Sequence, residues 1–508
     1  MSLLTDQQIS QITDVPAPSV AGLVLQFLRD RWISVLAVSG LLLVPCYWHR
    51  HIEAGDLGSH TYNAWLAQLV TQGRAPGLYL AHQWNNVLVD SALTWFGSRL
   101  GFIAAERIVV SVCVLIFFWG AFAFISAASL RSPWYLTPAI AMISYGYTFY
   151  AGFMNFYLSL GLVFFAAAIF WRGTRADWIL GAILALLTLM AHPMGFGLLV
   201  AVVAYIRFAE AIHGWPRWIV FASGFLALIG LHFALHRFRT EGGFGLRFVL
   251  MNGADQLVLF GERYRLFAEY VLIFGTCAFI AAAIRDWDRL PLQQWFRTPL
   301  ELWAIFLFAV AVLPGTIWFP SYPAAVSYIT NRLTAVTAVL GLCVLGSVRP
   351  RRWILAGVTL FATAFFAFQY QDTAVLNNME QQVGNLVSAL PYGTRVAYTI
   401  DFGDDSRINF RHMVDRACIE KCFTISNYEP GTGQFRLRVS PQGSPILSRS
   451  GLAMERGDYV VRPEDLPLAQ IYQPDEGDLT KLSIRSLSAG ERNGRIGHHP
   501  TVSADNSP

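Results

Sequence analysis

The chain has 508 residues, 55% of them hydrophobic and 14% charged, with a formal net charge of +4. Soluble proteins carry about a quarter charged residues, so this composition excludes an ordinary water-soluble globule. A charge this small gives no footing for nucleic acid.

The apolar residues fall in separate runs, and crossing a bilayer core takes about 20 of them. Eleven spans are predicted: 31–48, 102–128, 134–150, 154–171, 178–191, 194–211, 218–236, 267–284, 300–319, 331–347 and 353–370. No small-x-small cleavage pattern follows the first run, which therefore reads as a retained anchor. Arg29, Arg31, Arg131, Arg172, Arg175, Arg207, Arg217, Arg285, Arg289, Arg297, Arg349, Arg351 and Arg352 then gather on one side. By the positive-inside rule that side is cytoplasmic. The N-terminal segment 1–30 is cytoplasmic and the C-terminus lies outside. Within 178–211, His192-Pro193 breaks the backbone ladder. Two spans there keep the flanking arginines on one side.

Three long outer segments remain: 49–101, 237–266 and everything after 370. The last changes character. Arg395–Ile400, Cys422–Ile425, Phe435–Val439 and Asp458–Val461 read as short strands between turn residues. With a helix at 374–389 they predict a small α/β domain over 371–487, followed by a disordered tail at 488–508. The fold class is thus a polytopic α-helical membrane protein with a small extracytoplasmic α/β domain. Cys418 and Cys422 are spaced i, i+4 in that domain. A disulfide suits an oxidising compartment, and no zinc-like partner set accompanies them.

The first outer loop holds the candidate chemistry. It carries Glu53, Asp56 and His60 directly after the first span. Acids there are costly unless they face water or a substrate. Gly58–Val70 reads as an amphipathic helix at the membrane surface, with Tyr62, Trp65, Leu66 and Leu69 on its apolar face. Gly73–Gly77 turns the chain. A second polar cluster follows, with His82, Trp84, Asn85, Asn86 and Asp90, and then a second surface helix over 87–100. A carboxylate in this setting suits removal of a proton from an acceptor while a leaving group departs. Asp56 equally suits a plain helix N-cap.

Glu53-Ala-Gly-Asp56-Leu-Gly-Ser-His60 followed by Gly73, with many spans and an outer C-terminal domain, resembles the GT-C superfamily of integral-membrane glycosyltransferases. Gly152-Phe-Met-Asn155-Phe-Tyr-Leu158 and Ala191-His192-Pro193 are similar to segments of bacterial members. The resemblance covers about 30–370, rests on layout, and leaves the outer domain unassigned. It implies a bacterial inner-membrane enzyme with a sugar donor on a polyprenyl phosphate or diphosphate, entering from the bilayer. The acceptor would be a glycan, lipid or protein. Asp56 would be the general base, with Glu53 and His60 as helpers and the sugar carbon inverted. Some relatives use a divalent cation. The acid pair of those is only partly matched here, so no obligatory metal is expected.

A donor phosphate needs cations at the outer face. Arg332, after Tyr328, begins an apolar span where charge is costly. Arg263 and Arg265 precede another span, where interfacial anchoring is the ordinary role. His82, Asn85, Asn86 and His192 are candidates for acceptor or loop support, although a lone His at a helix end is more often packed in place. Rival readings are a polysaccharide polymerase or ligase, which would share the lipid-linked substrate, a transporter or flippase, which would place acids or broken helices at the midplane, and a membrane anchor for the outer domain, which would leave the acidic loop without a purpose.

Overall fold

The computed structural model describes residues 20–242, 251–285, 294–320, 325–348, 351–400, 402, 407–474 and 481–494. In chain order the helices are α1 (Val20–Leu43), α2 (Leu57–Thr71), α3 (Leu88–Leu100), α4 (Phe102–Ser129), α5 (Thr137–Ser144), α6 (Tyr147–Tyr150), α7 (Met154–Arg172), α8 (Trp178–Ala191), α9 (Pro193–Ala211) and α10 (Pro216–Leu235). They continue with α11 (Glu262–Arg285), α12 (Gln294–Val312), α13 (Ile329–Gly346), α14 (Arg352–Ser388), α15 (Met413–Ala417), α16 (Glu429–Thr432) and α17 (Gly451–Arg456). Among the described residues, seven helices are long and apolar enough to cross a membrane. The chain is a polytopic helical membrane protein. α4 and α7 form its buried centre. They close together where Gly120 meets Gly161, since a Cβ on Gly120 would lie 2.3 Å from the Gly161 carbonyl oxygen. At the other extreme, α10 leaves Trp218, Ile219, Leu226 and Phe233 exposed, an apolar surface that suits lipid.

Several predicted elements are redrawn. The run at 134–150 breaks at Tyr145-Gly146 into a short 3₁₀ turn, α5 and α6. Side chains hold the break open: Gln369 Nε2 donates to the Tyr145 carbonyl, and Gln256 Oε1 accepts from the Thr148 amide. α12 stops at Val312 because Pro314 follows. α14 fuses the last predicted span with the predicted outer helix at 374–389, since no proline interrupts the chain before Pro391. At His192-Pro193 the chain does fold back, with α8 and α9 as separate helices.

The strands are β1 (Leu78–Leu80), β2 (Arg239–Glu241), β3 (Thr316–Trp318), β4 (Arg395–Thr399), β5 (Phe423–Thr424), β6 (Leu437–Val439), β7 (Leu468–Tyr472) and β8 (Ser483–Leu487). One four-stranded sheet has the order β5-β4-β7-β8, parallel except for β8. The segment predicted as a strand at 458–461 contributes only a bridge between Val460 and Arg492. β6 leaves the sheet and pairs antiparallel with β1 of the first loop, Leu78 opposite Val439. The segment predicted as a domain at 371–487 has a small core of its own around Ala397, Met454 and Val461 and also packs against the helical part. One hydrophobic core runs from Leu42 through Leu66 and Phe117 to Tyr398, Met413 and Ile471. The predicted tail is ordered through 494, with Asn493 buried and donating to the Met454 carbonyl. Its remainder, 495–508, lies outside the described residues, as does 1–19 of the N-terminal segment.

α2 is buried on nearly every side and is not a membrane-surface helix. Its sequence contains no Lys, Arg, Asp or Glu, so no face of it requires water. Tyr62 accepts from the Thr424 amide, and Trp65 stacks on Phe423 at 5.7 Å. The apolar stripe read as a lipid anchor meets the C-terminal segment instead.

Candidate functional site

The loop before α2 is held by its backbone. Gly55 N–H donates to the Tyr150 carbonyl at 2.7 Å, and Asp56 N–H to that of Ala151 at 3.1 Å. The contact requires Gly152, which has φ of +81° and whose Cβ would lie 2.3 Å from the Asp56 nitrogen. From the other side, a Cβ on Gly58 would lie 2.2 Å from the His412 carbonyl oxygen. Two glycines thus let three chain segments converge on Asp56. Gly152→Ala is expected to cost about 1–3 kcal/mol through strain and displacement of this loop, read as a lowered melting midpoint of the purified protein in detergent.

Asp56 occupies the N-cap position of α2, yet its carboxylate makes no capping hydrogen bond. Its φ of −77° and ψ of −5° are helical, unlike the extended backbone of a true N-cap. The side chain is 28% exposed, and its nearest charged partner is His412 Nε2 at 3.8 Å. The capping role leaves this carboxylate unexplained. Around it stand Arg332, Tyr328, Tyr147 and Tyr428, each within electrostatic reach. Tyr328 sits in the left-handed region at φ 62° and is about half exposed, its ring 5.3 Å from that of Phe153.

Arg332 is the second unpartnered group. Its guanidinium lies over the rings of Phe153 at 4.5 Å and Phe156 at 5.5 Å. Its Nε is buried without a hydrogen-bond partner, and no ion pair to it is present among the described residues. A buried donor left unmade costs roughly 1–3 kcal/mol, more when charged. Such a group is expected to have an anion to meet.

The two proposed helpers of Asp56 go elsewhere. Glu53 is buried in a cluster with Glu106 and Glu380 around Arg416. Burial and the Glu380 carboxylate push Glu53 well up, against the pull of Arg416. It is a structural acid and does not face Asp56's pocket. His60 Nδ1 meets Asp90 Oδ1 at 2.8 Å. Burial would lower His60, but Asp90 and Glu429 outweigh it and raise it to about 10. Asn155 fixes Asp90 by donating to Oδ2 at 2.8 Å. Next to this pair, Glu429 accepts from Ser59 at 2.8 Å and Asn63 at 2.7 Å. His60 therefore supports the wall of the pocket as an imidazolium held by Asp90.

Of the remaining candidates, Arg263 pairs with Asp372, and Arg265 with Glu262 and Glu269, both at exposed positions. They serve helix α11 and are not gathered with Asp56. His192 caps α9, its Nδ1 accepting from Met194 N–H, and packs edge-on to Phe156 beneath Arg332. His82 is exposed. Asn85 acts through its carbonyl, which accepts from Gln83, and Asn86 supplies a left-handed turn at φ 54° before α3. Cys418 and Cys422 form a buried disulfide just after α15. Among the described residues, no three His, Cys, Asp or Glu side chains converge as a metal-ligand set.

The C-terminal segment supplies residues near Asp56 that sequence reasoning missed: His412, Tyr428 and Glu429, with Asp415 behind His412. The i, i+3 pair His412 and Asp415 is a visible signal in the sequence, but nothing local to it indicates that it packs against the first loop. No protein-family model, curated protein or solved structure matches this chain.

Proposed function

We propose that this chain is an integral-membrane glycosyltransferase that moves a sugar from a polyprenyl-phosphate-linked donor to an acceptor outside the cytoplasm. The observation that carries the reading is a carboxylate and a guanidinium, Asp56 and Arg332, within electrostatic reach of one another, the first with no capping hydrogen bond and the second with a buried Nε that has no partner. Asp56 takes the proton of the acceptor hydroxyl or amine. The acceptor atom bonds to the anomeric carbon as the carbon–oxygen bond to phosphate breaks, inverting that carbon. The phosphate leaves with the bonding pair, and Arg332 holds its charge with fork-shaped donors. The Tyr328 hydroxyl stands at the exposed rim.

The membrane layout in this reading has eleven spans, a cytoplasmic N-terminus and an extracytoplasmic C-terminal segment in a bacterial inner membrane. The pairing of helix ends supports it. Glu106, in the first turns of α4, meets Arg416 of the C-terminal segment. At the far end of the same helix, Ala127 accepts from Arg172, which also pairs with Glu210. A helix of 28 residues spans about 42 Å at 1.5 Å per residue. The arginine-bearing ends and the Asp56 end are a bilayer apart.

The test is purified protein in liposomes with radiolabelled polyprenyl-phosphate sugars. Sugar transfer is expected, and Arg332→Ala should raise the donor concentration for half-saturation by about 10-fold or more, the loss of a charge-assisted pair. Unchanged donor saturation removes Arg332 from phosphate binding. Movement of intact donor across the bilayer with no glycosidic product would favour the flippase reading.

A further inference from the structure

Next to Asp56 stands a charged assembly from the C-terminal segment that the transfer chemistry above does not use. His412 precedes α15 and is buried, with 3% of its side chain exposed. Its Nδ1 donates to Asp415 Oδ2 at 2.7 Å, and Asp415 is wholly buried one helical turn on. Tyr398 Oη lies 3.2 Å from the same Nδ1, 3.1 Å from Asp415 Oδ2 and 3.1 Å from Glu455 Oε1. The Tyr428 ring packs at a tilt beside the imidazole, with ring centroids 5.8 Å apart. With Nδ1 taken, only the Nε2 edge is free to turn outward, and it faces Asp56 Oδ1 at 3.8 Å. The arrangement is a carboxylate, an imidazole and a second carboxylate in series, the last one at the pocket.

We propose that His412 is a positioning residue for Asp56, oriented by Asp415, so that its Nε2–H edge holds the Asp56 carboxylate toward the pocket. The inference rests on the reading of Asp56 as the base and adds that the C-terminal segment is part of the machinery. It explains why Gly58 closes to van der Waals range of the His412 backbone: the segment must come this near for the ring to reach. It also gives a reason for burying Asp415, Tyr398 and Glu455 together, a costly arrangement unless it supports a charge.

The protonation pattern is consistent. Burial lowers His412, but the Asp415 hydrogen bond and the Glu455, Asp415 and Asp56 charges overcome it and raise it to about 9. At neutral pH the ring is therefore an imidazolium. Other groups in the assembly titrate elsewhere. Glu455 is pushed up to about 7 by burial, and Glu429 likewise to about 7. His60 lies at about 10, and Tyr428 is held above its ordinary range by burial.

The experiment follows deuterium exchange at the imidazole C2 of His412 against pH, read by mass spectrometry on the full-length protein in detergent. The wild-type midpoint is expected near 9. Asp56→Asn and Asp415→Asn should each lower it by about one pH unit, the effect of removing an opposite charge within hydrogen-bonding or near-contact range. An unmoved midpoint in Asp56→Asn overturns the coupling. A second arm measures transfer across pH. The wild-type rate should fall through about pH 9 as His412 loses its proton. His412→Gln should be slower by about 10-fold and lack that limb, while His60→Gln keeps it. A rate and pH profile in His412→Gln equal to wild type overturns the positioning role. If wild type transfers no sugar while the Asp56→Asn midpoint still shifts, the glycosyltransferase reading fails and the His412–Asp56 pair stands.

Discussion

Asp56→Asn is expected to reduce sugar transfer by about 10³-fold, within the range that a positioned general base supplies. The amide keeps the shape of the side chain and cannot take a proton. The fold should survive. Asp56 makes no capping hydrogen bond and no other side-chain hydrogen bond among the described residues, so the structural cost is limited to its charge contact with His412. A modest change in melting midpoint, equivalent to about 1–1.5 kcal/mol at neutral pH, is expected from the lost coupling to His412 of about one pH unit. Donor binding should persist, because Arg332 is untouched. The measurement is single-turnover transfer alongside donor retention and thermal melting. Transfer at the wild-type rate would remove Asp56 from the chemistry, and the pocket would need another base.

Arg416→Ala should have the largest effect on stability. The Arg416 guanidinium lies between Glu106 Oε1 at 2.8 Å, Glu53 Oε2 at 3.3 Å and Glu380, and also donates to the Ile52 carbonyl at 2.9 Å. All four side chains are buried, with 2–3% of each exposed. Removing the cation leaves three carboxylates without a counter-charge. Breaking a buried pair costs about 3–5 kcal/mol because a charge is stranded. Here some of that is relieved if the acids take up protons, and Glu53 already favours its neutral form. The four residues come from the first loop, α4, α14 and α15. The expected result is therefore loosening of the C-terminal segment, seen as a lower melting point and new protease cleavage after Ser388. Arg416→Lys should rescue only in part, since an ammonium cannot reproduce the planar fork. Arg265→Ala is the control: its pairs are exposed, and exposed pairs contribute about 0–1 kcal/mol. Equal melting points for the Arg416 and Arg265 variants would show that the cluster does not bind the segments together.

Much of this protein was readable from local pattern. Long apolar runs such as 102–128 became helices because a membrane span is a property of one segment: its own backbone bonds are satisfied internally and its side chains need only be apolar. Pro193 and Pro314 marked breaks for equally local reasons. The loop at Glu53–His60 stood out because charge beside an apolar run is costly wherever it lies. Arg332 stood out by the same rule. None of these conclusions requires knowing what packs against what.

Partnership was not readable. Glu53 and Asp56 are three residues apart and look like one acidic pair, yet Glu53 is buried against Arg416 while Asp56 is part-exposed beside His412. Only contacts from the distant C-terminal segment separate them. The amphipathic pattern of α2 was real, but amphipathicity says that one face avoids water, not whether lipid or protein covers it. The uncharged opposite face was the clue that protein covers both. Strands β1 and β6 are three residues each and gain their identity from pairing with one another across the chain. The sequence by itself determined a helical membrane protein with a conspicuous carboxylate and a conspicuous arginine, because burial of charge and apolar length are paid for residue by residue. Only the tertiary structure decided that Asp56 and Arg332 come within electrostatic reach and that His412 lies 3.8 Å from Asp56. Those facts depend on Gly152 and Gly58 letting three separate segments come within contact of one another.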